Sequence, residues 1–238
     1  VKAADPLVKV ALLCSPHNPV GRVWSDHELR RFAQICTDNG VLIVADEIHS
    51  DLTMPGHTFS PIGNLADDIL QNTIICTAPS KAFNLAGLQS SNLIIRNEEL
   101  RNGFEEEKRA SGLFSLNPFG IAATQAAYDE SEGWLDRAIA YIDANLDFLE
   151  TYTAQHLPGI ELIRPEATYL AWLDCGGLKL DEDTLASLFF DEAKLYLDEG
   201  RIFGVEGEGF MRLNVACPRV LLETALSRLR DAIARLKY

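Results

Sequence analysis

The sequence predicts an α/β fold in which a mostly parallel sheet is followed by a smaller C-terminal α+β domain. In the first half, short apolar runs alternate with amphipathic helical segments, which is the order typical of a parallel sheet. In the second half, Pro158-Gly159 interrupts the chain, and shorter apolar runs then mix with helices. We therefore expect two domains, residues 1–145 and residues 146–238.

Four strands are predicted in the first domain, over residues 8–14, 41–45, 73–77 and 92–96. Ser25 and Glu28 form a capping-box pattern that predicts a helix through about Asp38, and Asn39-Gly40 ends it. Residues 98–110 predict a further helix, which carries an acidic run on a solvated face.

The second half begins with two helices. Asn117-Pro118 predicts a helix start, because proline fits the first helical turn, and residues 131–155 predict a long helix. The remaining predictions are strands near 160–163, 169–173, Ile202 and 211–216, a helix from about Asp183 and a closing helix over 219–236.

Composition limits the classes of partner. The chain has 238 residues, 47% of them hydrophobic, so it can bury a sizeable core. Its net charge of -14 and pI of about 4.7 argue against nucleic acid or an anionic membrane surface as partner. The five cysteines form no Cys-x-x-Cys pair, which favours reduced thiols and a cytoplasmic location.

Polar groups follow the first three predicted strands directly. Asn18, Asp46 and Lys81 each come shortly after an apolar run, and ligands of open α/β sheets bind at the carboxyl ends of the strands. A lysine can form an imine, an acid can pair with a pyridine nitrogen, and an amide can donate to a ring hydroxyl. These three groups together indicate pyridoxal 5′-phosphate (PLP) as cofactor.

Four motifs carry a resemblance that covers the chain from Val8 to its C-terminus. They are Ser-Pro-His-Asn-Pro-Val-Gly-Arg-Val-Trp from Ser15, Ala-Asp-Glu-Ile-His-Ser-Asp from Ala45, Ala-Pro-Ser-Lys-Ala-Phe-Asn-Leu-Ala-Gly-Leu-Gln from Ala78, and Met-Arg-Leu-Asn-Val-Ala-Cys-Pro-Arg from Met211. In these motifs the chain resembles the fold-type I PLP-dependent enzymes of the aspartate aminotransferase superfamily, and most closely the cystathionine β-lyase (C-S lyase, MalY/PatB) group. The resemblance implies the PLP-dependent transferase fold, with the first domain binding the cofactor.

The resemblance implies a role for each motif residue around the cofactor ring. Lys81 is implied to be the catalytic residue that holds PLP through an imine, and Asp46 to pair with the protonated pyridine nitrogen. Ile48 is implied to pack on one face of the ring. Asn18 and His49 are implied to hold its phenolic oxygen.

Further roles concern the phosphate and the substrate. Ser80, with Thr77 as a second candidate, is implied to bind the phosphate, and Arg212 to clamp the substrate α-carboxylate, for which a guanidinium is a bidentate partner. Many aminotransferases have a phosphate-binding arginine at the position of Gln89. This departure favours the lyase group over a plain aminotransferase.

The implied function is a PLP-dependent C-S β-lyase that converts cystathionine or cysteine S-conjugates to thiol, pyruvate and ammonia. A class I/II aminotransferase is the first alternative, and an inactive fragment or a regulatory protein that retains the fold is the second. The resemblance implies a homodimer for the intact enzyme. Since relatives have a substantial segment before the first motif, we expect this chain to be a C-terminal fragment.

Each singled-out residue also has a purely structural interpretation. Lys81 could be a loop lysine paired with an acid, and Arg212 could pair with a structural acid. Asp46 and Glu47 could cap a helix or, together with His49 and His57, bind a metal, although no regular ligand spacing supports a metal. Asn18 lies in a sequence that is typical of an ordinary turn.

Overall fold

The computed structural model describes residues 2–236. Residue 1 and residues 237–238, which the predicted domains include, lie outside this part. The chain divides near residues 136 and 137, whereas the sequence predicted a boundary after 145; both positions fall inside one helix, Glu132–His156. The first compact unit contains residues 2–17 and 23–136, and the second contains residues 18–22 and 137–236.

A four-stranded sheet forms the centre of the first unit. Its strands lie in chain order, with β1, β2 and β3 parallel and β4 antiparallel to β3. The prediction of a mostly parallel sheet is confirmed. The strands are β1 (Val10–Cys14), β2 (Leu42–Asp46), β3 (Thr73–Thr77) and β4 (Asn92–Ile95).

Within the described part of the first unit, the α-helices that accompany this sheet are α1 (Asp26–Asp38), α2 (Asp67–Leu70), α3 (Pro79–Ala82), α4 (Glu98–Ala110) and α5 (Pro118–Glu130). The predicted capping box of α1 is present, because Ser25 Oγ accepts from the Glu28 N–H and the Glu28 carboxylate accepts from the Ser25 N–H. Asn117 caps α5, with Pro118 in its first turn, as predicted.

The core of the first unit lies on one face of the sheet. Side chains alternate between the faces of a strand, so Ile43 and Ala45 are buried in this core, while Asp46 belongs to the other face. This alternation separates the acid from the core. The core cluster consists of Leu13, Leu29, Ala33, Cys36, Val41, Ile43, Ala45, Ile62, Leu65, Ile69 and Ile75.

The second unit contains an antiparallel sheet of order β5-β6-β8-β7. This arrangement agrees with the predicted α+β composition. Its elements are α6 (Glu132–His156, which begins in the first unit), β5 (Glu161–Ile163), β6 (Leu170–Asp174), α7 (Glu182–Ser187), a π-helical turn (Leu188–Glu192), β7 (Asp198–Glu199), β8 (Phe210–Asn214) and α8 (Arg219–Ile233).

The strand predicted around Ile202 is wrong. That segment is a 3-10 helix, Gly200–Phe203, and the strand lies just before it as β7. The backbone at Gly200 passes so close to other backbone that a Cβ there would lie 2.8 Å from the Phe210 carbonyl oxygen. β7 ends at Glu199, and the chain leaves the ladder at Gly200, where the close approach requires glycine.

Two further observations concern the whole described chain. None of the five cysteines, all of which lie within it, forms a disulfide. No helix among residues 2–236 is both long enough and apolar enough to cross a membrane.

Candidate active site

Asp46 is the last residue of β2 and lies in a row across three strands. Its register partners are Cys14 on β1 and Cys76 on β3. The Ile48 N–H donates to Asp46 Oδ1 at 3.2 Å, which fixes the carboxylate above the end of the strand. Burial raises the pKa of the Cys76 thiol, and the nearby charges of Asp46 and Glu47 raise it further. Asp46 thus lies between two thiols, at least one of which resists ionisation.

The side chains that follow Asp46 alternate in burial. Ile48 is partly buried, whereas Glu47 and His49 are only 4% and 2% exposed. Glu47 Oε1 accepts from the N–H of the core residue Ile62 at 2.8 Å, which ties the segment after β2 to the core. Burial raises the pKa of Glu47 to about 7, and the bond from Ile62 opposes part of that rise.

Lys81 lies in α3, which begins two residues after β3. Pro79 occupies the first turn of this helix, and the Phe83 N–H donates to the Pro79 carbonyl at 3.0 Å. Phe83 packs against Tyr128 and Trp134, with ring centroids 5.5 and 6.3 Å apart, which fastens the end of α3. Lys81 is partly buried and, among residues 2–236, has no ion-pair partner. The interpretation as a lysine paired with an acid is therefore not supported.

Two hydroxyl groups precede Lys81 in the sequence. Thr77 ends β3, and its Oγ1 accepts from Asn92 Nδ2 at 3.3 Å. Ser80 is partly buried in the first turn of α3. Because β2 and β3 are parallel neighbours, Asp46 and the segment from Thr77 to Lys81 follow the carboxyl ends of adjacent strands. An amine, a carboxylate and two hydroxyls therefore lie at one edge of the sheet, a set that suits imine chemistry on a polar cofactor.

Asn18 and Arg212 belong to the second unit, where they contact each other. Arg212 Nη1 donates to Asn18 Oδ1 at 2.7 Å. Arg212 Nη2 and Nε donate to Asp198 Oδ2 at 2.6 and 3.2 Å. The guanidinium carbon also lies 4.7 Å from the centroid of the Phe203 ring. The structural interpretation of Arg212, a pair with an acid, thus describes a contact that is present.

Three residues make contacts here that the sequence did not predict: Glu47, Asp198 and Phe203. The sequence allows Glu47 as a helix cap or a metal ligand, and the signal for its contact with the core is its position in the alternating pattern that continues from β2. Asp198 and Phe203 have no local signal, because they meet Arg212 only through the strand pairing of the second unit. As for the metal interpretation, no group of three or more His, Cys, Asp or Glu side chains within residues 2–236 is placed to hold an ion.

The chain is similar to known proteins over almost its whole length. Over 98% of its length it is 40% identical to the cystathionine beta-lyase PatB of Bacillus subtilis, and over 97% it is 35% identical to protein MalY of Escherichia coli. It spans 60% and 58% of these relatives, or about three fifths of their length.

A solved structure shows the same similarity over almost the whole chain. The fold matches that of cystalysin from Treponema denticola, which contains a pyridoxal 5′-phosphate cofactor, with a TM-score of 0.96 and 37% identity over 99% of this chain and 60% of that one. The predicted fold class and the resemblance to the cystathionine β-lyase group are confirmed. The family model for aminotransferase class I and II matches residues 2–229. The chain therefore belongs to the aminotransferase class I and II family.

Proposed function

We propose that this chain provides the catalytic lysine of a PLP-dependent C-S β-lyase, which cleaves cystathionine or cysteine S-conjugates to a thiol, pyruvate and ammonia. The observation that carries the proposal is the pairing of β2 with β3, which delivers Asp46 and Lys81 to one edge of a sheet. The similarity to PatB, a cystathionine β-lyase by name, supports the reaction class.

The residues at this edge fit PLP by their chemistry. The Lys81 amine can hold the aldehyde covalently, and the Asp46 carboxylate, oriented by the Ile48 N–H, suits a protonated ring nitrogen. Thr77 uses its oxygen as an acceptor toward Asn92, so its hydroxyl hydrogen is available to a phosphate together with that of Ser80. The cofactor, when bound, supplies an electron sink that stabilises negative charge at the substrate Cα.

Further cofactor contacts are assigned to three residues. Ile48 packs on the ring, and His49 and Asn18 hold the ring oxygen. Asn18 has the appropriate group for this role, because its Oδ1 accepts from Arg212 while its amide nitrogen is a donor.

In the proposed reaction the chain's own groups bind the substrate and move its protons. Arg212 binds the α-carboxylate of the amino acid. The Lys81 amine removes the Cα proton, and the C–S bond then breaks with its electron pair leaving on sulfur as a thiolate. Asp46 keeps a proton at the ring nitrogen during this step. Water completes the conversion of the remaining three-carbon unit to pyruvate and ammonia.

The wider setting is proposed on the same basis. We assign a small amino-acid substrate, a homodimeric complete enzyme and a cytoplasmic location, with no nucleic-acid or membrane partner. The net charge of -14 supports the exclusion of nucleic acid and of anionic membrane surfaces as partners.

The test is a PLP titration of the 238-residue chain, followed by borohydride reduction and peptide mapping, with pyruvate and thiol assays on the complete protein. A pyridoxyl adduct confined to Lys81 and release of pyruvate from L-cystathionine are expected. If PLP binds but a cysteine S-conjugate yields no pyruvate, the lyase assignment is wrong. Formation of the pyridoxamine form with a glutamate or alanine donor would instead favour the aminotransferase.

A further inference from the structure

The guanidinium of Arg212 already has a carboxylate ligand within the chain. Asp198 lies directly opposite Arg212 in the antiparallel pair of β7 and β8. One oxygen, Asp198 Oδ2, accepts from both Nη2 at 2.6 Å and Nε at 3.2 Å. Nε and one Nη form the edge of a guanidinium that can bind a carboxylate in bidentate fashion. Asp198 therefore occupies an edge that an incoming carboxylate could use.

The third guanidinium nitrogen is engaged as well. This nitrogen, Nη1, donates to Asn18 Oδ1 at 2.7 Å, and the Phe203 ring lies 4.7 Å from the guanidinium carbon atom. Three of the five guanidinium N–H groups thus have an acceptor in the chain. A substrate carboxylate that binds the edge formed by Nε and Nη2 in bidentate fashion must displace Asp198.

Asp198 is the acceptor that can leave with the least rearrangement. Its side chain is 50% exposed, whereas that of Arg212 is 17% exposed. The backbone of β7 remains paired with β8 when the carboxylate turns into water, so release needs only a rotamer change. Such changes at exposed residues are fast.

We infer that Asp198 is an internal competitor for Arg212, which lowers the affinity of this chain for the α-carboxylate of its amino-acid ligands. This inference rests on the proposed role of Arg212 in substrate binding. It makes Asp198 a residue that sets substrate affinity by occupying the carboxylate position until substrate replaces it. As a result, binding of free carboxylates to Arg212 at low concentration is disfavoured.

The first test measures binding without turnover. L-Alanine, which has no β leaving group, is titrated into the 238-residue chain labelled with ¹⁵N-arginine, and the Nε–Hε signal of Arg212 is followed by NMR. D198N keeps the shape of the side chain but removes the charge, and it is expected to tighten L-alanine binding by about 3- to 10-fold. The matched control is D183N, which removes the same charge at a distance from Arg212, because Asp183 pairs with Arg201.

The outcomes distinguish an Asp198 that competes for Arg212 from an Asp198 that orients Arg212. Tighter binding in D198N but not in D183N, with the gain lost in the double variant D198N/R212A, supports competition. Unchanged or weaker binding in D198N overturns it, since Asp198 would then be a positioning residue that orients the guanidinium. Absence of L-alanine binding in both the unmodified chain and D198N also overturns it.

A second measurement uses the complete holoenzyme. D198N is expected to lower KM for L-cystathionine about 3- to 10-fold with little change in kcat, because the competition acts on ground-state binding. A KM that rises would contradict the inference. Failure of the lyase assignment is recognised independently, as absence of pyruvate release while the NMR titration still responds to L-alanine.

Discussion

Asp46 and Glu47 in the first unit are held by backbone N–H groups, whereas Arg212 in the second unit is held by other side chains. The donors to the two acids, Ile48 and Ile62, lie 2 and 15 residues further along the chain. Arg212 bonds instead to Asp198 and to Asn18, which is 194 residues away. Backbone donors move little, while side-chain partners rotate or exchange. We therefore expect Asp46 and Glu47, the first cluster, to be preorganised. Arg212 with its partners Asp198 and Asn18, the second cluster, is expected to be adjustable.

The largest expected effect comes from Lys81, because its amine is proposed both to hold the cofactor and to remove the substrate Cα proton. Lys81→Ala should abolish the borohydride-trapped adduct and reduce β-elimination by about 10²- to 10⁴-fold, because the base for the Cα proton is lost. Lys81→Arg keeps the positive charge but cannot form the imine, so it should lose the adduct equally. An adduct that persists in Lys81→Ala would assign the chemistry to another lysine.

Glu47 makes the stability of the fold depend on pH. Its pKa in the folded chain is about 7, above the ordinary glutamate value of 4.5, because it is buried. The folded state therefore binds the proton more tightly, so the associated stability is complete below pH 4.5 and is lost as pH rises through 7. At pH 8 the ionised Glu47 should destabilise the fold by about 3 kcal/mol.

Glu47→Gln isolates this effect, because the amide oxygen can still accept from the Ile62 N–H. Urea unfolding at pH 5 and pH 8 should show a gain at pH 8 of up to about 3 kcal/mol and a flatter pH dependence. Glu106→Gln, on an exposed position of α4, should change neither. A stability loss for Glu47→Gln at both pH values would mean that the negative charge itself is needed.

Arg212 tests the adjustable cluster. Arg212→Lys keeps the charge but removes the planar fork, so KM for L-cystathionine should rise about 10- to 100-fold, the equivalent of a charged hydrogen bond, with a smaller change in kcat. Arg201→Lys is the matched control, since Arg201 likewise pairs with acidic side chains, those of Asp183 and Glu199. Equal effects of the two substitutions on KM would remove Arg212 from the substrate site.

The same contrast explains what could be predicted from the sequence. Asp46 and Lys81 could be placed because each directly follows a strand, and parallel strands share one edge. Asp198 could not be recognised as a partner of Arg212, since β7 has only two residues and the contact depends on its register with β8. The strand predicted near Ile202 failed because the apolar residues Ile202 and Phe203 lie in a 3-10 helix, and the close approach of the Gly200 backbone to Phe210 arises only in the folded chain.

Substitution of Thr77 should give the smallest effect. It tests whether the Thr77 hydroxyl serves only the sheet or also binds the cofactor phosphate. Its Oγ1 accepts from Asn92 at 3.3 Å, a distance typical of a weak bond on an exposed edge. Thr77→Val should cost about 0.5–1.5 kcal/mol of unfolding free energy. Thr77→Ser, which retains the hydroxyl, separates this loss from any effect on the cofactor. If valine weakens PLP binding in an absorbance titration while serine does not, the hydroxyl serves the phosphate as well as Asn92. If both variants bind PLP like the unmodified chain, Ser80 remains as the phosphate hydroxyl and Thr77 serves only the sheet.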